Sequence, residues 1–387
     1  MTYENPKKLG FGTMRLPMKS TMEEGNIDIE EFGRMVDVFL ERGFIYFDTA
    51  YAYGNAELAV KEALVKRHPR ESYTLASKMP TFLLQEASQL EQIFNEQLER
   101  CGVTYFDYYL MHDLSRNTYP TAQQTASFEF ISQKKKEGKI KNIGFSFHDQ
   151  ACVLDLILTE HPEVDFVQLM INYLDWSNAA IQSRLCYETA LKHGKKVVIM
   201  EPVKGGSLVN LPEDIAAPLK AFHPDLSIPS WAIRFAASLD QVLVVLSGMS
   251  NMEQMLDNTS YMEHFEPLSE QEQELVAQTA NQLVEKFKIP CDGCGECTKN
   301  CPKNISIPEY FALYNAEQVD VNKGRGAQLD YFATLLFHQG KPSECIDCGK
   351  CEAACPKQLH IVENLKKVEQ EMEAPTMQMM AAMMGGN

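Results

Sequence analysis

Cysteine spacing is the strongest chemical signal in the chain. Eight of its 11 cysteines fall into two copies of the pattern Cys-x2-Cys-x2-Cys-x3-Cys-Pro, which occupy residues 291–302 and 345–356. Small residues such as Gly293, Gly295 and Gly349 let each loop turn tightly, so that several thiolates can converge on one centre. Because thiolates are soft ligands, the pattern predicts two sites for iron–sulfur clusters or zinc.

The order of the cysteines within each copy matches the run found in bacterial two-cluster ferredoxins. In that arrangement the first three cysteines of a copy bind one [4Fe–4S] cluster, and the fourth binds the other cluster. The proline then turns the chain away from the cluster. The predicted ligands of cluster one are Cys291, Cys294, Cys297 and Cys355, and those of cluster two are Cys345, Cys348, Cys351 and Cys301.

Two other uses of these cysteines, zinc sites and disulfide bonds, are less favoured alternatives. CxxC pairs also bind zinc, but a zinc ribbon does not require the fourth cysteine and its proline. Disulfide bonds require an oxidising compartment, and residues 1–8 contain no apolar segment of a secretion signal. The remaining cysteines, Cys101, Cys152 and Cys186, lie in apolar or helical contexts, and we expect them to be reduced and buried. Together with the clusters, they predict a reducing, oxygen-poor cytoplasm.

Size and charge limit the classes of partner. With 387 residues and a hydrophobic content of 45%, the chain can form two or three domains, one of which can be a large barrel. No apolar run approaches the ~18 residues that a membrane-spanning helix needs. The formal net charge of −17 is unfavourable for binding nucleic acid or an anionic membrane. We therefore expect neither nucleic acid nor a membrane as partner.

The first two thirds of the chain alternate short β-branched or aromatic runs with longer amphipathic stretches. This alternation predicts repeated βα units around a parallel sheet. The predicted strands are 9–14, 44–49, 73–78, 108–112, 141–146, 167–172, 197–201 and 242–247. The clearest predicted helices are 29–42, 56–67, 84–101, 125–137 and 253–262. Eight such units in about 260 residues favour a (β/α)8 TIM barrel. A doubly wound sheet would need a glycine-rich dinucleotide turn, which is not found.

A polar amphipathic helix at 268–286 marks the start of the second part of the chain. The segment between the two cysteine runs contains two further stretches with helical spacing, so we expect a small, mostly helical domain of the ferredoxin type. The predicted domains are a barrel over 1–267, a helical two-cluster domain over 268–373 and a flexible methionine-rich tail over 374–387.

Ionisable residues follow three consecutive predicted strands. In a (β/α)8 barrel the chemistry takes place at the carboxyl ends of the strands. The second strand ends at Asp48, with Tyr53 in the loop that follows, while the third ends at Lys78 and the fourth at His112. This set can transfer a proton to a carbonyl oxygen. Tyr53 would donate the proton, with its pKa lowered by an adjacent ammonium group. Each residue alone also fits a structural role, and only the combination favours catalysis.

At these positions the chain resembles the aldo/keto reductase family. In that family an Asp-x4-Tyr pair, a lysine and a histidine at successive strand ends form the catalytic tetrad, which matches Asp48, Tyr53, Lys78 and His112. The sequence of residues 9–13 also looks like the first strand of the family. With the cysteine runs added, the whole chain resembles the bacterial and archaeal subgroup in which the barrel is fused to a domain with two [4Fe–4S] clusters.

The resemblance implies a nicotinamide cofactor that lies across the barrel mouth, NADH or NADPH. The positions that match the family's cofactor contacts are Gly12, Thr13, Met14, Ser146, Gln168, Met200, Gly248, Gln254, Asp257 and Asn258. Two kinds of departure stand out. Phe147 and Met200 occupy the places of an asparagine and of the tyrosine that stacks on nicotinamide. Gly248 and Gln254 occupy the places of the lysine and arginine that bind the 2′-phosphate of NADPH, which leaves the choice between NADH and NADPH open.

The favoured function is that of an oxidoreductase that transfers hydride between a nicotinamide cofactor and a carbonyl or alcohol. The alternative is an iron–sulfur electron-transfer or docking protein whose barrel has no turnover or uses another redox cofactor. A hydride carries two electrons whereas each cluster accepts one, so the clusters are either structural or exchange electrons with an external partner. A flavin would convert between the two, but the sequence shows no motif for one.

Overall fold

The computed structural model of the chain describes residues 7–19, 27–319, 332, 335–336 and 339–378. Within these residues, eight strands form a closed parallel barrel in which each strand pairs with its neighbours in chain order. The predicted (β/α)8 barrel is therefore confirmed. The strands are β1 (Leu9–Gly12), β2 (Tyr46–Asp48), β3 (Thr74–Met79), β4 (Phe106–Leu114), β5 (Ile140–Phe147), β6 (Phe166–Met170), β7 (Lys196–Met200) and β8 (Val242–Gly248).

Aromatic side chains fill the barrel interior where neighbouring strands carry glycine. The rings of Tyr46 and Tyr108 lie 5.2 Å apart between centroids, and those of Tyr108 and Phe166 lie 5.1 Å apart. A Cβ atom on Gly144 would come within 2.6 Å of the Phe166 carbonyl oxygen, so no larger residue fits at that position. This close packing holds the strands, and hence the residues at their ends, in fixed register.

Helices follow most of the strands, and several begin or end at residues suited to that position. The Asp28 carboxylate caps the first helix by accepting from the Glu31 amide at 3.0 Å, and Gly102 ends the third with φ of 71°. The helices of this part are α1 (Ile29–Glu41), α2 (Ala56–Val60), α3 (Ser88–Cys101), α4 (Tyr119–Gln124), α5 (Ser127–Lys136), α6 (Ala151–Glu160), α7 (Ser183–Lys192), α8 (Glu213–Phe222), α9 (Ile228–Ser238) and α10 (Met252–Met262). A π-helical turn, Lys61–Val65, continues α2.

The C-terminal part of the chain is mostly helical where it is described, as predicted. Its core consists of buried apolar side chains such as Ile307, Tyr310, Phe311 and Ile361, with the cysteines packed against it. The helices are α11 (Glu270–Glu285), α12 (Glu296–Lys299), α13 (Ile307–Val319), α14 (Lys350–Ala353) and α15 (Ile361–Val368).

The chain divides into two compact units, each made of several segments. The first consists of Met1–Ile171, Ser183–Pro202 and Ile233–Ser269 and contains all eight described strands. The second consists of Asn172–Gln182, Val203–Ala232 and Glu270–Asn387. The segments that follow β6 and β7 thus group with the cysteine-containing part of the chain.

The structure also bears on the predictions made for Cys152, for the C-terminal tail and for membrane-spanning helices. Cys152 is exposed, contrary to the expectation that it is buried, because it lies on the outer side of the first turn of α6. Helical structure continues from the predicted tail boundary through 374–378, where Thr376 is buried. Residues 379–387 of the predicted tail lie outside the described residues. None of the described helices is long and apolar enough to cross a membrane.

Candidate active site and cysteine cavities

The four predicted catalytic residues come together at the carboxyl ends of three neighbouring strands. Asp48 is the last residue of β2, Lys78 lies near the end of β3 and His112 lies in β4. Tyr53 is in the loop between β2 and α2. Because β2, β3 and β4 are paired in order, these side chains share one end of the barrel.

Lys78 is the centre of the group. Its ammonium donates to Asp48 Oδ1 at 2.5 Å, to the Thr49 carbonyl oxygen at 2.8 Å and to Tyr53 Oη at 3.4 Å. The Lys78 side chain is fully buried, and the Asp48 side chain is only 3% exposed. All three N–H donors of the ammonium are therefore used, and one of them faces the Tyr53 hydroxyl.

His112, in β4, lies beside Tyr53. The two rings are 5.7 Å apart between centroids and nearly perpendicular, at 81°. The Phe82 ring lies 5.8 Å from the His112 ring, so an apolar side chain covers the histidine from the loop after β3. A carbonyl group placed between Tyr53 and His112 would meet two polar groups and one apolar wall.

Burial and the Lys78 charge set the protonation states of the group. Burial raises the pKa of the Tyr53 hydroxyl above its ordinary value of 10.0, although the Lys78 ammonium opposes the increase. Lys78 thus lowers this pKa, as predicted, but the cost of burying a phenolate exceeds its attraction, so the net direction is upward. Burial by itself would lower the pKa of Lys78, but Asp48 and Tyr53 raise it above 10.5.

The pKa of His112 lies well below its ordinary value of 6.5. Burial is the main cause, and the positive charge of Lys78 adds to it. Near pH 7 the site therefore contains a protonated tyrosine, a charged lysine and a neutral histidine. This combination can donate a proton from Tyr53 while His112 donates or accepts a hydrogen bond without carrying charge.

Several polar atoms at the barrel mouth are buried and have no hydrogen-bond partner among the described residues. Such atoms are costly to bury unless a ligand or water satisfies them. They lie in or just after β1, β2, β4 and β6. They are Thr13 Oγ1, Asp48 Oδ2, Thr49 Oγ1, His112 Nδ1 and Gln168 Oε1. Their placement fits a polar ligand that extends across the mouth.

Each set of four cysteines assigned from the sequence lines one cavity. One cavity is lined by residues that include Cys291, Cys294, Cys297 and Cys355. The other is lined by residues that include Cys301, Cys345, Cys348 and Cys351. The fourth cysteine of each run therefore lies with the first three of the other run. Among the described residues no three His, Cys, Asp or Glu side chains are close enough to share a single metal ion, and the thiols instead surround a larger space.

Comparison with known proteins identifies both parts of the chain. The model of the aldo/keto reductase family matches residues 8–281, well over half of the sequence. The chain belongs to the aldo/keto reductase family. A second model, that of the 4Fe-4S dicluster domain, matches residues 276–360. This aldo/keto reductase therefore carries a C-terminal dicluster domain, as the cysteine spacing predicted.

A relative in sequence supports the same assignment, and similar solved structures support the fold. An aldo-keto reductase of Mycolicibacterium vanbaalenii is 30% identical over 239 residues, which cover 60% of this chain and 78% of that protein. The holo form of aldo-keto reductase AKR11C1 from Bacillus halodurans superposes with a TM-score of 0.57 at 23% identity, covering 70% of this chain and 91% of the other. An aldo-keto reductase from Klebsiella pneumoniae in complex with NADPH gives 0.55 at 19% identity, covering 70% and 90%.

At the predicted nicotinamide end of this aldo/keto reductase, three residues lie on adjacent strands. Ser146 and Gln168 are register partners in β5 and β6, and the Gln168 amide donates to Met200 Sδ at 3.3 Å. Ser146 Oγ accepts from the Asp113 amide at 2.8 Å, which connects β5 to the carboxyl end of β4. Met200 thus contacts the predicted carboxamide-binding residue from the end of β7.

The predicted adenosine end brings β1, β8 and α10 together. Gly12 and Gly248 are register partners, and Met14 is 48% exposed just beyond β1. The Arg15 side chain packs over Gly248, within 3.7 Å of the point where a Cβ atom would be. Sequence reasoning missed Arg15, because a residue after β1 gives no signal of contact with the end of β8.

The polar side chains at the N-terminus of helix α10 form hydrogen bonds with nearby backbone amides. Asn251 caps the helix by accepting from the Gln254 amide at 2.9 Å, and Gln254 Oε1 accepts from the Ser250 amide at 2.8 Å. Asn258 donates to Ser247 Oγ at 2.8 Å, while Asp257 lies next to it on a half-buried face. Gln254 therefore has a structural reason to be glutamine rather than arginine.

Proposed function

We propose that this chain is a nicotinamide-dependent oxidoreductase that reduces a carbonyl compound to an alcohol, or catalyses the reverse reaction. Bound NADH or NADPH would supply the hydride for the carbonyl carbon, and the Tyr53 hydroxyl would give its proton to the carbonyl oxygen. The oxidised nicotinamide and the alcohol are the products. The observation that carries the proposal is the buried Asp48–Lys78–Tyr53 contact beside His112.

Each residue of the group has a separate task in this reaction. Tyr53 stays protonated near neutral pH, because burial raises its pKa, and it is therefore an acid in its working state. Lys78 stabilises the phenolate that forms when the proton leaves, and Asp48 holds Lys78 in place. Neutral His112 orients the carbonyl oxygen by a hydrogen bond. Phe82 and the barrel wall exclude water from this side.

Thr13, Gln168 and the residues at the end of β8 would hold the cofactor. Gln168 Oε1 and Thr13 Oγ1 are buried without partners among the described residues, as expected of atoms that bind a ligand. The exposed Met14 and the stretch from Gly248 to Asn258 would contact the adenosine part. The bound nicotinamide supplies the hydride, and the residues above supply position and protons.

The two cysteine cavities would hold two [4Fe–4S] clusters with the crossed ligand sets. Support comes from the dicluster-domain match and from the four thiols around each cavity. The proposed hydride step balances without an electron from either cluster. Electron exchange between the clusters and an external partner would therefore be a separate activity. The arrangement around Tyr53 favours the reductase function over electron transfer alone.

A carbonyl-dependent cofactor assay on anaerobically purified protein tests the proposal. A panel of small aldehydes and ketones is offered with NADH or NADPH, and the alcohol product is measured together with the oxidised cofactor. We expect one mole of alcohol for each mole of cofactor oxidised. Cofactor oxidation that needs no carbonyl, or reduction of a one-electron dye without alcohol formation, would contradict the proposal and favour an electron-transfer protein.

A further inference from the structure

A fully buried carboxylate lies directly behind the catalytic group and takes no part in the proposed reaction. Glu57 lies in the first turn of α2, four residues after Tyr53, and is 0% exposed. Burial raises the pKa of this carboxyl group, which is opposed by hydrogen bonds from Gln97, Ser77 and Arg100. A buried carboxylate is costly to keep in a barrel wall, so its position needs an explanation.

The contacts of Glu57 connect it to strand β3 next to Lys78. Glu57 Oε1 accepts from Ser77 Oγ and from Gln97 Nε2, each at 2.8 Å. The same Gln97 nitrogen lies 2.8 Å from Ser77 Oγ and 3.1 Å from the Lys78 carbonyl oxygen, so its two N–H groups are shared among three acceptors. The backbone of Lys78 is therefore held by a side chain that Glu57 orients.

A second set of contacts connects Glu57 to the Tyr53 loop. Glu57 Oε2 accepts from Arg100 Nε at 2.8 Å, and Arg100 Nη2 donates to the Gly54 carbonyl oxygen at 2.5 Å. Gly54 follows Tyr53 and has φ of 58°, a left-handed conformation that the arginine contact helps to maintain. The guanidinium thus bridges the buried carboxylate and the loop that carries the proton donor.

The network also reaches the strand that carries His112. Tyr109 lies three residues before His112 in β4, is fully buried and donates to Gln97 Oε1 at 2.5 Å. Gln97 therefore uses its amide oxygen on β4 and its amide nitrogen on β3 and Glu57. One connected set of hydrogen bonds thus holds the backbone at Lys78 and next to Tyr53, and it reaches β4 three residues before His112.

We propose that Glu57, acting through Gln97 and Arg100, is the positioning residue that sets the distance between the Tyr53 hydroxyl and the Lys78 ammonium. The proposal rests on the catalytic roles given above to Tyr53 and Lys78. That distance is 3.4 Å, at the outer limit of a hydrogen bond, so a small shift of the Gly54 loop removes the contact. Loss of positioning on this scale reduces turnover without changing what the site binds.

Two variants separate positioning from folding. Glu57→Gln keeps the shape but places an amide against Arg100, and Arg100→Lys keeps the charge but cannot bridge Glu57 and the Gly54 carbonyl as a planar fork does. For both variants we expect kcat to fall about tenfold or more, with KM and cofactor Kd within about twofold of the parent. Arg100 is 22% exposed, so Arg100→Lys should fold even if Glu57→Gln does not.

The matched control is Asp107→Asn, near the amino ends of β3 and β4, whereas Lys78 and His112 lie towards their carboxyl ends. Asp107 is 7% exposed and accepts from Arg70 Nη2 at 2.6 Å and from the Leu75 amide at 2.9 Å. It is thus a buried carboxylate with an arginine partner, near the amino end of β4 and away from the catalytic residues. We expect Asp107→Asn to lower the melting temperature and to leave kcat per folded molecule unchanged.

The pH profile gives a readout that a purely structural role would not change. If Tyr53 moves away from Lys78, the tyrosine loses the charge that opposes the rise of its pKa, and the alkaline fall of kcat moves to higher pH. Folded Glu57→Gln and Arg100→Lys proteins with parental kcat and pH profile would overturn the proposal, as would losses that follow only the melting temperature. If Tyr53→Phe itself stayed active, the proposed function would fail instead.

Discussion

The catalytic group and the cysteine cavities differ in how the chain assembles them. The cavities contain cysteines of two short runs, 291–302 and 345–356, whose spacing alone predicts which cysteines line each cavity. The predicted catalytic group consists of single residues from separate strands and a loop, and hydrogen bonds of Glu57 connect the elements behind it. A site defined by local spacing can be recognised in the sequence, whereas a site that depends on packing can be recognised only in the folded structure.

The largest effect is expected from removing the charge at the centre of the catalytic group. Lys78→Met keeps a long apolar side chain but leaves the Tyr53 phenolate without its stabilising ammonium. A fall in kcat of about a hundredfold or more is expected, which is the usual size of a lost acid–base contribution. Steady-state kinetics at several pH values measure it. Since Asp48 would then be a buried, unpaired carboxylate, the double variant Lys78→Met/Asp48→Asn is the stability control. Turnover of Lys78→Met close to that of the parent would mean that the barrel uses other chemistry.

A substitution in the first cysteine run should damage the second cluster. The cavity lined by Cys345, Cys348 and Cys351 also includes Cys301, so Cys301→Ala removes one of its four thiols. The parent is expected to contain about eight iron atoms and eight acid-labile sulfides per chain, as two [4Fe–4S] clusters require. The variant should lose about half of each, measured by iron and sulfide analysis after anaerobic purification.

The control for this experiment is Cys152→Ala, since Cys152 is exposed and lies outside both runs. It should retain the full complement of iron and sulfide. Zinc in place of iron and sulfide in the parent protein would contradict the cluster assignment altogether. Spectroscopic loss of the Cys291 cluster alone in Cys301→Ala would contradict the crossed ligand sets.

The smallest effect concerns the choice between NADH and NADPH. Charge-assisted hydrogen bonds to the 2′-phosphate are worth roughly 1.5–3 kcal/mol each. Gly248 and Gln254 are uncharged and cannot donate such bonds from a cation. We therefore expect the two cofactors to bind within about tenfold of each other, or NADH to bind better. Gln254→Arg should shift the ratio towards NADPH, as measured by isothermal titration of both cofactors.

Because Gln254 also accepts from the Ser250 amide, Gln254→Ala is the control for loss of that contact. A strong NADPH preference of the parent would contradict the prediction. In that case another cation would have to bind the 2′-phosphate. Lys204 already forms an ion pair with Asp175, donating to both carboxylate oxygens at 2.8 and 2.6 Å. Arg15, which packs over Gly248, would then be the first cation to replace.

Much of the fold and the membership of the site could be predicted from the sequence. Each predicted strand overlaps an observed one, because runs such as 197–200 and 242–246 consist of residues that favour buried strands. Strand ends were less predictable: β2 is limited to Tyr46–Asp48, whereas β4 extends over Phe106–Leu114. Ends depend on pairing with neighbours, which periodicity does not contain.

Buried polar residues and pKa directions could not be predicted from the sequence. Glu57 lies in an amphipathic stretch, where a glutamate is normally solvent-exposed, and only the packing of α2, α3 and β3 shows that it is buried. The sign of the Tyr53 pKa shift depends on the balance between burial and the Lys78 charge, and residue types reveal the charge but not the burial.

Tyr53→Phe tests the central claim most directly, because only the hydroxyl is removed and the ring beside His112 remains. On anaerobically purified protein, cofactor affinity is measured by titration, and alcohol formation is measured with a carbonyl substrate. We predict cofactor binding close to that of the parent, unchanged iron and sulfide contents, and a fall in kcat of about a hundredfold or more. Alcohol formation within a few-fold of the parent would contradict the assignment of Tyr53 as the proton donor.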